Sequence, residues 1–158
     1  MFREMHRAGQ AITRAECIRL LQTETRSVLS VIGDDGYPYG SPINHFYNEE
    51  DGRIYFHGQT FGHKIDAIKA DPRVSLCVSE QGEKREGHWS YDVKSVIVFG
   101  KAEIDEDYSH AMHICRLLCD KFPCTVEEIQ EEFRLYAEKT LVFSMSIEHM
   151  TGKITHEA

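Results

Sequence analysis

The chain has 158 residues, 41% hydrophobic, 10% aromatic and 28% charged, a composition that suits one globular domain over residues 1–158 and excludes a disordered tail. Its apolar runs, as within Ser95–Phe99, fall far short of the roughly 20 residues of a spanning helix, and Met1–Gln10 has no secretory apolar stretch. Most of the net charge of −8 comes from ten acidic residues between Glu103 and Glu138, set against Arg116, Lys121 and Arg134, so a cytoplasmic protein without nucleic-acid or membrane partners is expected.

Thr13-Arg-Ala-Glu16 has the spacing of a capping box, and Cys17, Leu20 and Leu21 continue it as the apolar stripe of a helix to about Thr23. Ser27–Ile32 reads as a strand closed by the turn Gly33-Asp-Asp-Gly36. A second strand covers Tyr37–Tyr47, with Pro38 and Pro42 requiring an edge or a bulge. After Asn48–Gly52, a third strand, Arg53–His57, places Ile54 and Phe56 on one face and Tyr55 and His57 on the other.

His63–Ala70 is a short helix ended by Asp71-Pro72, and Val74–Ser79 is strand four. Glu80–His88, with two glycines, reads as an exposed loop. Strand five, Val93–Ile104, contains Gly100, a bulge or barrel corner. A helix runs from Asp105 to about Phe122, Pro123 interrupts, and Thr125-Val-Glu-Glu128 caps another. Leu141–Glu148 alternates with period two as the last strand. A mainly β protein with added helices follows, as a six-stranded antiparallel barrel.

The five cysteines are odd in number and form no CxxC pair, so reduced thiols are expected. Cys115, Cys119 and Cys124 could be taken for metal ligands. Cys115 and Cys119 fall on a face shared with Ile114, Leu118 and Phe122, however, and packing is the preferred reading, with no metal site expected.

The segment most suited to chemistry is Tyr55-Phe-His-Gly-Gln-Thr-Phe-Gly-His-Lys-Ile65, where a strand leaves the sheet and a helix begins. Unpaired amides at a helix start, Gly58 and Gly62 allowing close approach, and the donors of Thr60, His63 and Lys64 outline an anion cradle. The competing reading is a capped helix with an ordinary surface lysine. Neither a Walker loop nor a dinucleotide fingerprint occurs here.

Five stretches occur in order: Gly36-Tyr-Pro-Tyr-Gly-Ser-Pro-Ile-Asn44, Ile54-Tyr-Phe-His-Gly58, Gly62-His-Lys-Ile-Asp-Ala-Ile68, Arg73-Val-Ser-Leu-Cys-Val78 and Ser95-Val-Ile-Val-Phe-Gly-Lys-Ala102. With Phe2-Arg-Glu-Met5 and Glu148-His-Met-Thr-Gly-Lys153, this set resembles the pyridoxamine 5′-phosphate oxidase-like FMN-binding split-barrel flavoproteins, and among them the nitroimidazole-resistance (Nim-type) proteins, over about residues 2–153. The resemblance implies a six-stranded split barrel, a homodimer with flavin at the subunit interface, FMN in preference to FAD, and NADH or NADPH as reductant.

Carried onto this sequence, it implies that Thr60, His63 and Lys64 hold the flavin phosphate, that Pro42, Ile43 and Asn44 run beside the ring, and that His57 stands at its catalytic face. Trp89, Tyr91 and Ser95 would approach from the partner subunit. An apolar face near Trp89 and Val96–Val98 is expected to favour association. The arginine-rich motifs of vitamin B6 oxidation are not recognisable here, so a Nim-type flavin oxidoreductase acting on a small acceptor, such as a nitroaromatic, is the expected activity. The alternatives are a flavin-binding module without turnover, and a haem protein with iron on His57 or His149.

Overall fold

The computed structural model describes residues 1–125, 127–128, 130–131, 134 and 140–156. The first helix, α1 (Arg14–Thr23), starts as the sequence implies. Thr13 Oγ1 accepts from the Glu16 amide at 3.2 Å, the Glu16 carboxylate accepts from the Thr13 amide at 2.9 Å, and Cys17, Leu20 and Leu21 are buried.

β1 (Arg26–Ile32) pairs antiparallel with β2 (Pro38–Asn44) around a turn in which Asp35 and Gly36 take φ of +56° and +76°. The expected second strand proves to be two. β2 stops at Asn44, and β3 (Phe46–Asn48) pairs instead with β4 (Arg53–Gln59). The break is His45, fully buried where the chain crosses from one half of the sheet to the other. β2 hydrogen-bonds only to β1 among the described strands, so Pro38 and Pro42 cost no ladder bond on its other edge.

There follow α2 (His63–Ala70), β5 (Arg73–Ser79), β6 (Glu83–Lys84), β7 (Tyr91–Ile104), α3 (Tyr108–Lys121), β8 (Thr140–Met145) and β9 (His149–His156). The loop expected over Glu80–His88 therefore contains a short strand. Asp107, not Asp105, caps α3 by accepting from the amides of Ser109 and His110. The second capping box also forms, with Thr125 and Glu128 bonded reciprocally at 2.8 and 3.2 Å, while much of the helix expected after it lies outside the described residues.

The expected final strand is likewise two, and Gly100 is the reason. One edge of β7 carries β9 along Asp92–Phe99 and β8 along Ala102–Ile104. Between them the chain crosses directly over Gly100, where a Cβ would stand 1.7 Å from the Ser146 carbonyl oxygen. The sheet thus has nine strands in place of six, in the order β2-β1-β5-β7-β8-β4-β3, with β6 and β9 also on β7. Because β2 and β3 end that path yet are joined through His45, the sheet returns on itself as an antiparallel barrel.

Inside lie Leu29, Leu76, Val78, Val96 and Val98, with Phe56 stacked on Phe143 at 5.0 Å. Each such side chain contributes about 1.5–3 kcal/mol when fully buried. Val96 and Val98 are therefore core, and the exposed partners on β7 are Ile97 and Phe99. A second cluster, Tyr55, Ile114, Cys115, Leu118 and Val142, seats α3 on the outside of β4 and β8, so Cys115 packs as a small hydrophobe. Among the described residues no helix is long and apolar enough to cross a membrane.

Candidate functional site

β4 ends at Gln59, and the chain turns through Gly62, at φ +118°, into α2. No side chain caps this helix, so its first-turn amides and the positive end of its dipole are left for another acceptor. Lys64 stands in that first turn. It is half-buried, burial pushes its ammonium below the ordinary lysine range, and it has no hydrogen bond or ion pair with any described residue. A partly desolvated cation without a counter-charge, beside open amides, suits a phosphate or carboxylate.

His63 is exposed but held in place. Its ring lies 4.3 Å from that of Tyr39, the Asp34 amide donates to Nε2 at 3.4 Å, and the Asp34 carboxylate is 3.8 Å away. This approach needs Gly33, where a Cβ would come within 3.0 Å of the same nitrogen. Tyr39 and the Gly33–Asp34 turn were not anticipated from the sequence. The signal was the β1–β2 register, which sets Tyr39 opposite the inward-facing Val31.

Thr60 and Gly58 are half-buried just before this turn, and His57 is exposed on β4 opposite Val142. Pro42 is exposed, Ile43 and Asn44 are half-buried, and the Ile43 carbonyl accepts from Ser27 Oγ at 3.0 Å. The structure thus brings Thr60, Gly62, His63 and Lys64 to one turn, next to Tyr39 of β2. Trp89, 75% exposed, Tyr91 and Ser95 lie elsewhere in the same chain. β7 is three strands from β2, about 14 Å at the usual strand spacing.

A cleft of about 680 Å³ opens beyond the C-terminal end of α2, lined by Tyr55 and Ile68 but by none of the residues expected to hold the flavin. Arg53 spans it, donating through Nε to Ser144 Oγ at 3.0 Å and through Nη2 to Glu103 at 3.1 Å. On its wall the Tyr55 hydroxyl donates to Asp51, and burial raises its pKa above the ordinary tyrosine range, with the Asp51 bond adding to the effect. Near its rim the Asp105 carboxylate pairs with His110 Nδ1 at 2.5 Å. These groups largely satisfy one another.

A family model described as pyridoxamine 5′-phosphate oxidase matches residues 13–154. The chain belongs to that family. Among solved structures of similar fold is a candidate 5-nitroimidazole antibiotic resistance protein from Bacteroides thetaiotaomicron, 19% identical with a TM-score of 0.76, covering 93% of this chain and 87% of that one. An FAD-binding protein from Mesorhizobium loti is 24% identical with a TM-score of 0.67, over 92% and 97% of the two chains. The flavocytochrome Anf3 from Azotobacter vinelandii is 19% identical with a TM-score of 0.73, over 96% of this chain and 72% of its own. No curated protein matches. At these identities the likeness establishes the split-barrel fold of the pyridoxamine 5′-phosphate oxidase family.

Proposed function

We propose that the protein is a flavin-dependent oxidoreductase that binds FMN with its phosphate at the start of α2. The observation that carries the reading is Lys64, a half-buried ammonium without an anionic partner among the described residues, at a helix start that no side chain caps. A flavin phosphate has the charge and acceptors these donors lack. The FAD-binding and flavocytochrome neighbours support a flavin as the cofactor class.

In this reading Lys64 and the first-turn amides hold the phosphate, Thr60 and His63 add donors, and the edge strand Pro42–Asn44 runs beside the ring. His57, exposed on β4, is the proposed catalytic-face residue. When bound, the flavin supplies the redox chemistry, taking a hydride from NADH or NADPH and passing electrons to a small acceptor such as a nitroaromatic. The protein's part is to orient the cofactor and exclude water from it. The same reading assigns the protein to the cytoplasm.

The reading includes a homodimer. Val28, Cys77 and Ile97 are cross-strand neighbours in one outward row of β1, β5 and β7, with Phe99 beside them, and all four are exposed in the single chain. A second copy covering this apolar row would bring its own Trp89, Tyr91 and Ser95 near the first chain's flavin.

The test is steady-state oxidation of NADH and of NADPH by the flavin-loaded protein, with a 5-nitroimidazole as acceptor. Turnover above that of free flavin supports the oxidoreductase. Tight flavin binding without turnover would instead make the protein a flavin-binding module, and a Soret band in its absorbance would indicate haem.

A further inference from the structure

The hairpin that carries Trp89 is braced at its base. β6 pairs with the start of β7 through Glu83 with Asp92 and Lys84 with Tyr91. Its tip closes through the Arg85 amide on the Ser90 carbonyl at 3.3 Å and the His88 amide on the Arg85 carbonyl at 3.0 Å. On the other edge of β7, His156 at the end of β9 stands opposite Asp92. Arg85 Nη2 donates to Asp92 Oδ1 and Oδ2 at 3.1 and 3.0 Å, while His156 Nδ1 lies 2.7 Å from Asp92 Oδ1 and 2.9 Å from Arg85 Nη2.

One ring nitrogen cannot serve both neighbours. Arginine only donates, so its contact needs a bare lone pair on Nδ1, whereas the carboxylate only accepts, so its contact needs a proton there. Neutral imidazole can adopt either arrangement. Imidazolium donates from both nitrogens and is restricted to the second.

We propose that Arg85, Asp92 and His156 form a proton-sensitive brace, in which a proton taken from solvent by His156 ends its bond with Arg85, commits the ring to Asp92 and loosens the hairpin that presents Trp89. Asp92 fits the part of the fixed anion. The His156 hydrogen bond, and after it that of Arg85, hold its carboxyl below the ordinary aspartate range. Of the other charged neighbours, Glu83 on β6 faces Asp92 in register and Lys94, two residues along β7, pairs with Glu16 of α1 at 3.5 Å. If Trp89 contacts a flavin, the brace sets how often the hairpin is in place. That consequence rests on the proposed function; the switch itself does not.

Trp89 is the single tryptophan of the chain, so its fluorescence anisotropy reports on this hairpin. In the flavin-free full chain, anisotropy is expected to fall in one step as the pH is lowered from 8 to 5. His156→Asn keeps a hydrogen-bonding group near the Nδ1 position but cannot take up the proton, and it should abolish the step. His88→Gln, beside Trp89, should leave it intact. A step that survives His156→Asn, one lost in His88→Gln, or no step in the wild type overturns the brace. A second measurement, ¹⁵N spectra of the histidine-labelled wild type, needs no variant. His156 Nδ1 should pass from partly bare at pH 8 to fully protonated at pH 5, and a ring already protonated on Nδ1 at pH 8 contradicts the exchange. Both readouts are taken without flavin, so failure of the brace and failure of the flavin reading are separately visible.

Discussion

The ammonium of Lys121, the last residue of α3, donates to the carbonyl oxygen of His45 at 2.9 Å across 76 positions of sequence. The same nitrogen donates at 2.9 Å to the Leu21 carbonyl near the end of α1, which also takes a hydrogen bond from His45 Nε2 at 3.0 Å. One lysine therefore ties α1, α3 and the corner between β2 and β3. Because β2 continues into that corner from Pro42–Asn44, the lysine also fixes the proposed ring-side strand.

Burial pushes the Lys121 pKa down to about 8. The unfolded chain then binds more protons than the folded one between about pH 8 and the ordinary lysine value near 10.4, so this group makes stability rise with pH across that window. Lys121→Met should remove this alkaline gain, and it should lower Tm at neutral pH because two buried carbonyls lose a donor. Thermal melts of both proteins from pH 7.5 to 10 check it, and parallel pH profiles would contradict it.

His45 acts at the other end of the scale. Burial first, and the Lys121 charge second, push its pKa down to about 3, so the ring is neutral in the fold and protonates on unfolding in acid. Stability is retained above the ordinary histidine value of about 6.5 and lost as pH falls toward 3, by up to on the order of 5 kcal/mol at the acid end. Urea unfolding at pH 7 and pH 4.5 should show that loss in the wild type and a smaller one in His45→Gln.

Local signals were legible in the sequence, and distant ones were not. The capping box of α1 needs only Thr13 and Glu16, and the turn after β1 needs only its own glycines and aspartates. The start of α2 was equally local, since Gly62, His63 and Lys64 are consecutive. The end of β2 could not be read, because Phe46 and Tyr47 continue a strand-like composition and the corner is held by Lys121. β9 was missed because most of its residues are half-buried on both faces, so no alternation marks it. The cleft spanned by Arg53 joins segments around Glu103 and Ser144 that only the fold brings together.

Two glycines separate packing from conformational freedom. Gly100→Ala should destabilise the barrel by several kcal/mol or prevent folding, because backbone must move where a Cβ would lie 1.7 Å from the Ser146 oxygen. Gly58→Ala meets nothing within 4 Å and should leave Tm nearly unchanged. Melting curves of the two variants decide it, and similar Tm values would contradict the crossing described at Gly100.

The proposed interface predicts linkage between flavin and dimer. If a second copy covers Val28, Ile97 and Phe99 and completes the site, FMN must raise dimer stability, and dilution must release flavin. Ile97→Glu should weaken both together. Sedimentation followed at the flavin wavelength over a dilution series tests this, and a monomer retaining full flavin would remove Trp89, Tyr91 and Ser95 from the site.

The most direct test of the central claim is an FMN titration of the flavin-free wild type beside Lys64→Ala. A charged hydrogen bond is worth on the order of 1.5–3 kcal/mol, so the variant should stay folded and bind FMN roughly 10- to 150-fold more weakly than the wild type. The wild type itself should bind with a Kd below roughly 100 μM, about −5.5 kcal/mol. A wild type that fails to bind FMN in that range, or a Lys64→Ala variant with unchanged affinity, would contradict the phosphate site at the start of α2.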